Sequence, residues 1–259
     1  ETFRYFQHLN AVNPPKQILI GLDFFVFNIF FPLSDDFKES HMVVSREGKP
    51  QDNLFHNLAL TLLSSSAIKA SQQKLFYNGI GTHFSNGTEF SEGIDSKPRN
   101  NRSAMMWSTT KYVSRLLMPP PAHRFCLDDG TRANSSFQYL RQILKTAKES
   151  EADVRLFIQP THVYLLEVLK ALGMMEGYEK WQHQLIGLVE GVNKQYPKSL
   201  NFSLWDFSGY NSVTMDEVPP AEEIKRPMDW YYDVGHFKKS LGDLIQDRIF
   251  NYSDAERVV

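Results

Sequence analysis

The sequence predicts an α/β fold on a mainly parallel sheet, and three observations predict it. Residues 17–22 (QILIGL) are a compact apolar run without polar alternation, the pattern of a parallel strand covered on both faces. Several later stretches repeat apolar residues at i, i+3, i+4 and i+7, the period of helices packed on a core. The order of elements, strand, helices, strand, helix, strand, loop, helix, is that of crossover units. Composition agrees, since 259 residues with 42% hydrophobic and 13% aromatic side chains suffice for one domain spanning residues 1–259. The aromatic load excludes a disordered chain. With 28 basic against 30 acidic side chains the net charge is −2, which argues against general binding to a phosphate backbone, so no nucleic-acid partner is expected. The single Cys126 excludes an intrachain disulfide and a Cys-rich zinc site.

Taken in order, Phe3, Phe6, Leu9 and Val12 predict a short amphipathic helix over residues 1–13, stopped by Pro14 and Pro15. The strand at 17–22 opens a longer apolar run to Leu33. Asp23, Asn28 and Pro32 interrupt that run, so it reads as a buried strand entering a loop and not as a membrane span. Residues 34–50 are polar and irregular, and 52–70 are helical with a break at Ser64, Ser65 and Ser66. Residues 77–101, with Gly79, Gly81, Gly87 and Gly93, form a long surface excursion. Met106, Tyr112, Val113, Leu116 and Leu117 predict a core-facing helix over 103–118, ended by three prolines. A further helix starts at an N-cap, Asn134 or Ser135, and carries Phe137, Leu140, Ile143, Leu144 and Ala147 on one face.

Residues 154–158 are a second strand. Pro160 and Thr161 end it and open a helix to Leu172, which Gly173 closes. Another helix spans 177–194 with Trp181, Leu185, Leu188 and Val192 facing the core. Residues 200–207 are the third strand. After a loop to Met228, a last helix runs over 236–250 with Phe237, Leu241, Leu244, Ile245 and Ile249 on one stripe. Three strands are fewer than the five or so of a doubly wound sheet.

Ligands of open α/β sheets bind outside the carboxyl ends of the strands. The three strands deliver Asp23, then Gln159-Pro160-Thr161-His162, then Asp206 to that edge. Asp233-Val-Gly-His236 precedes the final helix. An acid three residues ahead of a His across a Gly-containing turn lets the carboxylate reach Nδ1 and leaves Nε2 to accept a proton. The same spacing also suits an Asp that caps the helix. His162 fits either a pocket or a helix cap. Trp230, Tyr231 and Tyr232 suit a sugar platform or the core, and Asp128-Asp129-Gly130 suits a turn better than a cation site.

The blocks ILIGLDFFVFN (18–28), LFIQPTHVYLLEVLKALG (156–173), LWDFSGYNSV (204–213) and WYYDVGHFKKSLGDLI (230–245) resemble the SGNH/GDSL hydrolase-like superfamily. Within it they resemble bacterial envelope proteins of the alginate O-acetylation type. That resemblance implies a three-layer α/β/α fold of flavodoxin-like topology, His236 as general base and Asp233 as its orienter. It also implies weaker substrate or oxyanion contacts from Asp23, His162 and Asp206, and a carbohydrate or acyl-ester substrate. No cofactor and no metal is implied. Gly21-Leu22-Asp23 loosely resembles the family's Gly-x-Asn-Asp block, but it offers an acid where the family has an amide donor. Export to the periplasm or envelope follows from the same likeness, with membrane contact only through an amino-terminal anchor outside these residues; oligomeric state stays open.

The family's nucleophilic Ser lies in a Gly-Asp-Ser or Gly-Thr-Ser turn after the first strand, and the sixteen residues ahead of Gln17 hold no Ser. Missing strands, missing nucleophile and missing initiator Met together predict a chain that begins one or two strands into its fold. Within the chain, Ser64 to Ser66 fall in a helix, Ser208 follows a strand without a Gly-x-Ser-x-Gly signature, and Cys126 reads as a buried inert thiol. Two other functions fit the residues: a metal-dependent hydrolase using Asp23, Asp206, Asp233, His236 and His162, and a non-catalytic envelope or carbohydrate-binding module.

Overall fold

The computed structural model describes residues 1–34, 37–50, 101–117, 125–128, 130–131, 135–223 and 225–253, together with Ala59, Leu62, Leu63, Ile68, Ser71 and Gln72. Residues 77–100 of the excursion expected at 77–101, the Ser64 to Ser66 break and Asp129 lie outside the described residues, while Asn101 begins a helix and is buried. The chain divides into two compact units, one of residues 1–15 and 33–97, the other of 16–32 and 98–259.

In the first unit, α1 (Thr2–Val12) buries Phe6, and Asn13 caps its end in an extended conformation ahead of Pro14. Arg4 is its anchor. The guanidinium pairs with Glu39 at 2.9 Å and donates to the carbonyls of Val44 and Ser45, each at 2.7 Å. His8 Nδ1 accepts the Val43 N–H at 3.1 Å. These bonds seat buried Met42, which caps a short 3-10 turn at Glu39–His41, and buried Val44, which bridges to Pro50.

The second unit holds a three-stranded parallel sheet, so the α/β class read from the sequence is that of the protein. Strands β1 (Gln17–Leu22), β2 (Asp153–Ile158) and β3 (Ser203–Asp206) lie in sequence order, with Leu22 opposite Ile158 and Ile158 opposite Asp206. That register brings all three strands to an end at one edge. β3 is shorter than the run at 200–207 that predicts it. β1 departs from expectation more clearly. Ile18, Ile20 and Leu22 pack on the core, while Gln17, Leu19 and Gly21 are exposed. Among the described residues, nothing buries that second face.

The helices follow their stripes. In α3 (Ser136–Glu149) Phe137, Leu140, Ile143, Leu144 and Ala147 are all buried, and Ser135 is the N-cap, its Oγ accepting the Gln138 N–H at 3.0 Å. Helix α4 (Val163–Ala171) buries Leu165, Leu166 and Leu169. Helix α5 (Met175–Gln195) buries Trp181, Leu185, Leu188 and Val192, each contributing on the order of 1.5–3 kcal/mol. Phe24, Phe27 and Tyr178 close around Trp181, with ring centroids 5.4–5.7 Å from it. Helix α6 (Lys239–Phe250) buries Leu241, Ile245 and Ile249 and begins three residues after His236, with Lys238 at its N-cap. The expected start at His236 is therefore corrected: that residue belongs to a turn before the helix.

Helix α2 (Asn101–Tyr112), continued by a π turn at Val113–Leu117, also differs from its prediction. Its buried side is Asn101, Met105 and Ser108, whereas Met106, expected in the core, is 52% exposed beside Trp107. Two of those three inward residues are polar, and their bonds go to a loop described next. Among the described residues no helix is long and apolar enough to cross a membrane.

Candidate functional site

A tight loop over residues 231–237 lies in the second unit, with Tyr231 and Val234 fully buried. Tyr231 and Phe237 bridge antiparallel, the Tyr232 N–H donates to the His236 carbonyl at 2.9 Å, and the Lys238 N–H donates to the Trp230 carbonyl at 2.7 Å. Residues 233–236 form its tip. The end of β2 anchors the loop, because the Tyr231 hydroxyl donates to the Pro160 carbonyl at 2.6 Å and the His162 N–H donates to the Val234 carbonyl at 3.3 Å. From the other side α2 holds it. Asn101 Nδ2 donates to the Tyr231 carbonyl at 3.2 Å, and Ser108 Oγ accepts the Val234 N–H at 3.4 Å.

At the tip Asp233 turns its carboxylate inward. Oδ1 accepts the N–H of Gly235 at 2.9 Å and of His236 at 3.1 Å, and both carboxylate oxygens lie 2.9 Å from His236 Nδ1. The acid caps its own turn and the imidazole, not helix α6. Burial works against the Asp233 charge, but the His236 and backbone hydrogen bonds outweigh it and hold the pKa below its usual value. The hydrogen bond to Asp233 raises the His236 pKa against partial burial, helped by the charge of Asp233 and, further off, Asp23, and opposed by Lys111. The His236 side chain is 71% exposed, so Nε2 faces outward.

Asp23 follows β1 and starts a short 3-10 turn, Phe24–Phe27, by accepting the Phe25 N–H at 2.9 Å. Burial raises its pKa despite that bond and the pull of His236. The turn sends Phe24 against Tyr178 and Phe25 against Tyr112, with ring centroids 5.3 and 4.7 Å apart. Burial, then Asp23 and Asp233, push the Tyr112 phenol well up. Tyr178 is pushed up to about 12 by burial, with the fields of Asp206 and Asp23 adding and a hydrogen bond with Ser208 opposing. Asp23 thus stands electrostatically between the Asp233–His236 pair and the end of β3.

Asp206 spends its carboxylate locally. Oδ1 accepts the Ser208 N–H at 2.9 Å and hydroxyl at 2.6 Å, while Oδ2 accepts Gln182 Nε2 at 3.0 Å. Ser208 is thereby a turn residue beside an acid, with no imidazole among its described partners. His162 has the geometry of the cap and not of a pocket. Its ring is 2% exposed, Nδ1 accepts the Tyr164 N–H at 3.1 Å, and Nε2 lies 2.8 Å from the Asp216 carbonyl, to which it donates as the neutral tautomer. No ring atom is left for a ligand. Of the aromatic trio, Tyr231 is fully buried and belongs to the core.

One further expectation is corrected. Cys126 is exposed, since the extended stretch 125–128 turns Phe125 and Leu127 to the core and Cys126 away from it. The metal reading finds no ligand set: among the described residues no three His, Cys, Asp or Glu side chains converge on one ion position. Sequence reasoning missed Asn101, Ser108, Lys111 and Tyr112 as neighbours of the pair; the glycine between Asp233 and His236 was the one available sign of a close approach there. On its outer side α2 carries a groove lined by Arg102, Ser103, Met106, Trp107, Thr110 and Ala221.

Comparison of the chain with family models, with curated proteins and with solved structures returns no match.

Proposed function

We propose that this chain carries the acid–base half of an acyl-transfer site: an SGNH-like esterase or O-acetyltransferase acting on a carbohydrate ester of the cell envelope. The observation that supports the reading is the Asp233 carboxylate 2.9 Å from Nδ1 of an imidazole whose other side is open. The carboxylate keeps the proton on Nδ1, so the Nε2 lone pair is free to take a hydroxyl proton. The resulting alkoxide attacks the ester carbonyl, and the imidazolium returns its proton to the departing alcohol. In this reading the hydroxyl belongs to a Ser in residues preceding Glu1, which also complete a three-layer α/β/α sheet, and an anchor there holds the protein in the envelope. Asp23, whose charge burial opposes, fits this reading least, since an ionised carboxylate there repels the oxyanion.

A fluorophosphonate probe tests this on the complete gene product. It should label one Ser outside the present chain, and His236→Ala should slow labelling by about 10²–10⁴-fold, the range of a general base. Labelling of the present chain at Ser208, or labelling indifferent to His236, overturns the proposal. A second reading, a carbohydrate-binding module without turnover, is favoured by the α2 groove, where Trp107 is 62% exposed beside Arg102 and two hydroxyl side chains. Ligand binding that survives His236→Ala and fails with Trp107→Ala, without any labelled Ser, selects it.

A further inference from the structure

We infer that Tyr112 is a positioning residue of the Asp233–His236 pair, acting through Gly235. Its phenol occupies the space that any side chain at 235 needs, and so restricts the turn that lays the carboxylate on Nδ1 to a glycine at that position. The inference rests on His236 being the base of the site and adds the element that fixes its geometry.

The contact explains a residue that backbone conformation does not. Gly235 is absent from the left-handed positions, which include Gly48, Gly130, Gly173 and Gly209, so its φ alone does not call for glycine. Space does. A Cβ at 235 would lie 2.6 Å from Tyr112 Oη and 3.3 Å from Cε2 and Cζ. Real Cβ atoms essentially never approach a heavy atom to 2.6 Å, so either the phenol or the turn must shift. The phenol is poorly free to do so, because its ring packs on Phe25 and a π turn begins at the next residue. One turn earlier on the same helix side, Ser108 holds the N–H of Val234, the residue immediately before Gly235. Helix α2 therefore grips residues 234 and 235 directly between the two members of the pair. The charged groups whose fields meet here are Asp23 and Asp233 on Tyr112, and Asp23, Asp233 and Lys111 on His236.

NMR titration of the His236 ring in the chain and three variants provides the test, and it reads the imidazole without needing any substrate. Failure of the esterase reading would therefore leave this result standing, and the reverse also holds. In Gly235→Ala the new methyl displaces the turn, the carboxylate loses Nδ1, and the midpoint drops from its raised value to the ordinary one near about 6.5. Tyr112→Phe retains the ring packing and keeps the raised midpoint. The double variant Tyr112→Phe/Gly235→Ala removes the 2.6 Å clash and leaves only the 3.3 Å carbon contacts, which small shifts relieve, so the midpoint returns to the parent's. A parental midpoint in Gly235→Ala overturns the inference, as does a double variant no closer to the parent than Gly235→Ala. Should Gly235→Ala be too unstable to titrate, the double variant decides: folded with the parental midpoint supports the inference, unfolded overturns it.

Discussion

His162 shows how a chemically suggestive residue can be occupied entirely by architecture. Nδ1 caps α4 and Nε2 holds the Asp216 carbonyl, while the Asp216 carboxylate in turn accepts the N–H groups of Asp229 and Trp230, at 3.3 and 2.7 Å. The imidazole is therefore one link between the end of β2 and the segment leading to the Asp233 turn. Burial lowers its pKa below the ordinary value of 6.5, against the pull of Asp216. Below that ordinary value the unfolded chain binds a proton that the folded ring refuses. The His162 contribution is thus whole above about 6.5 and is lost as pH falls through the interval down to the folded pKa. Denaturant unfolding at pH 7.5 and 5.5 should show this slope in the parent. His162→Ala should cost about 1–3 kcal/mol at the higher pH and flatten the slope; equal stability and equal slope would contradict the capping role. From spacing, cap and pocket were indistinguishable, because both place a His just after a strand. The Asp233 to His236 spacing was no more decisive, since it suits a helix cap as well as a carboxylate on Nδ1. Only the turn itself, in which Asp233 binds Gly235 N–H and the imidazole while Lys238 caps the helix, separates the two. Cys126 was read as buried because nothing flanking it signals an activated thiol, although alternation along 125–128 carried the right answer.

At the scale of elements, hydrophobic period was a sound guide wherever burial is what an element does. The stripes of α3 and α5 are inside, as are Leu241, Ile245 and Ile249 of α6 while Leu244 is half-buried, and Ser135 proved the better of two cap candidates because its hydroxyl reaches Gln138 N–H. Helix α2 was read correctly at Tyr112, Val113, Leu116 and Leu117, which meet the core, and misread at Met106 for a physical reason. Its inward face works through Asn101 and Ser108, which hydrophobicity does not register, while Met106 and Trp107 point out. β1 was misread for another: an apolar run states what a strand tolerates, and neighbours decide what covers it. The clamp from α2 has a measurable consequence. Ser108→Ala leaves the Val234 N–H without its acceptor, which should cost about 1 kcal/mol and speed amide exchange at Val234. Unchanged protection at that amide would show that α2 does not hold the loop.

Across the whole chain, the α/β class and parallel pairing were legible, because strand runs and helix stripes alternate in crossover order. The convergence of Asp23 and the Asp233–His236 pair was legible only as strand-end membership. Their mutual fields depend on a 3-10 turn and a loop clamp that leave no periodic trace. The molecule's functional claim reduces to the state of one ring. Nitrogen-detected NMR of His236 through a pH titration reads that state directly. Above its midpoint the neutral ring should carry its proton on Nδ1, with a midpoint above the ordinary 6.5 that falls back toward it in Asp233→Asn. A neutral ring protonated on Nε2, or a midpoint indifferent to Asp233→Asn, would contradict the account.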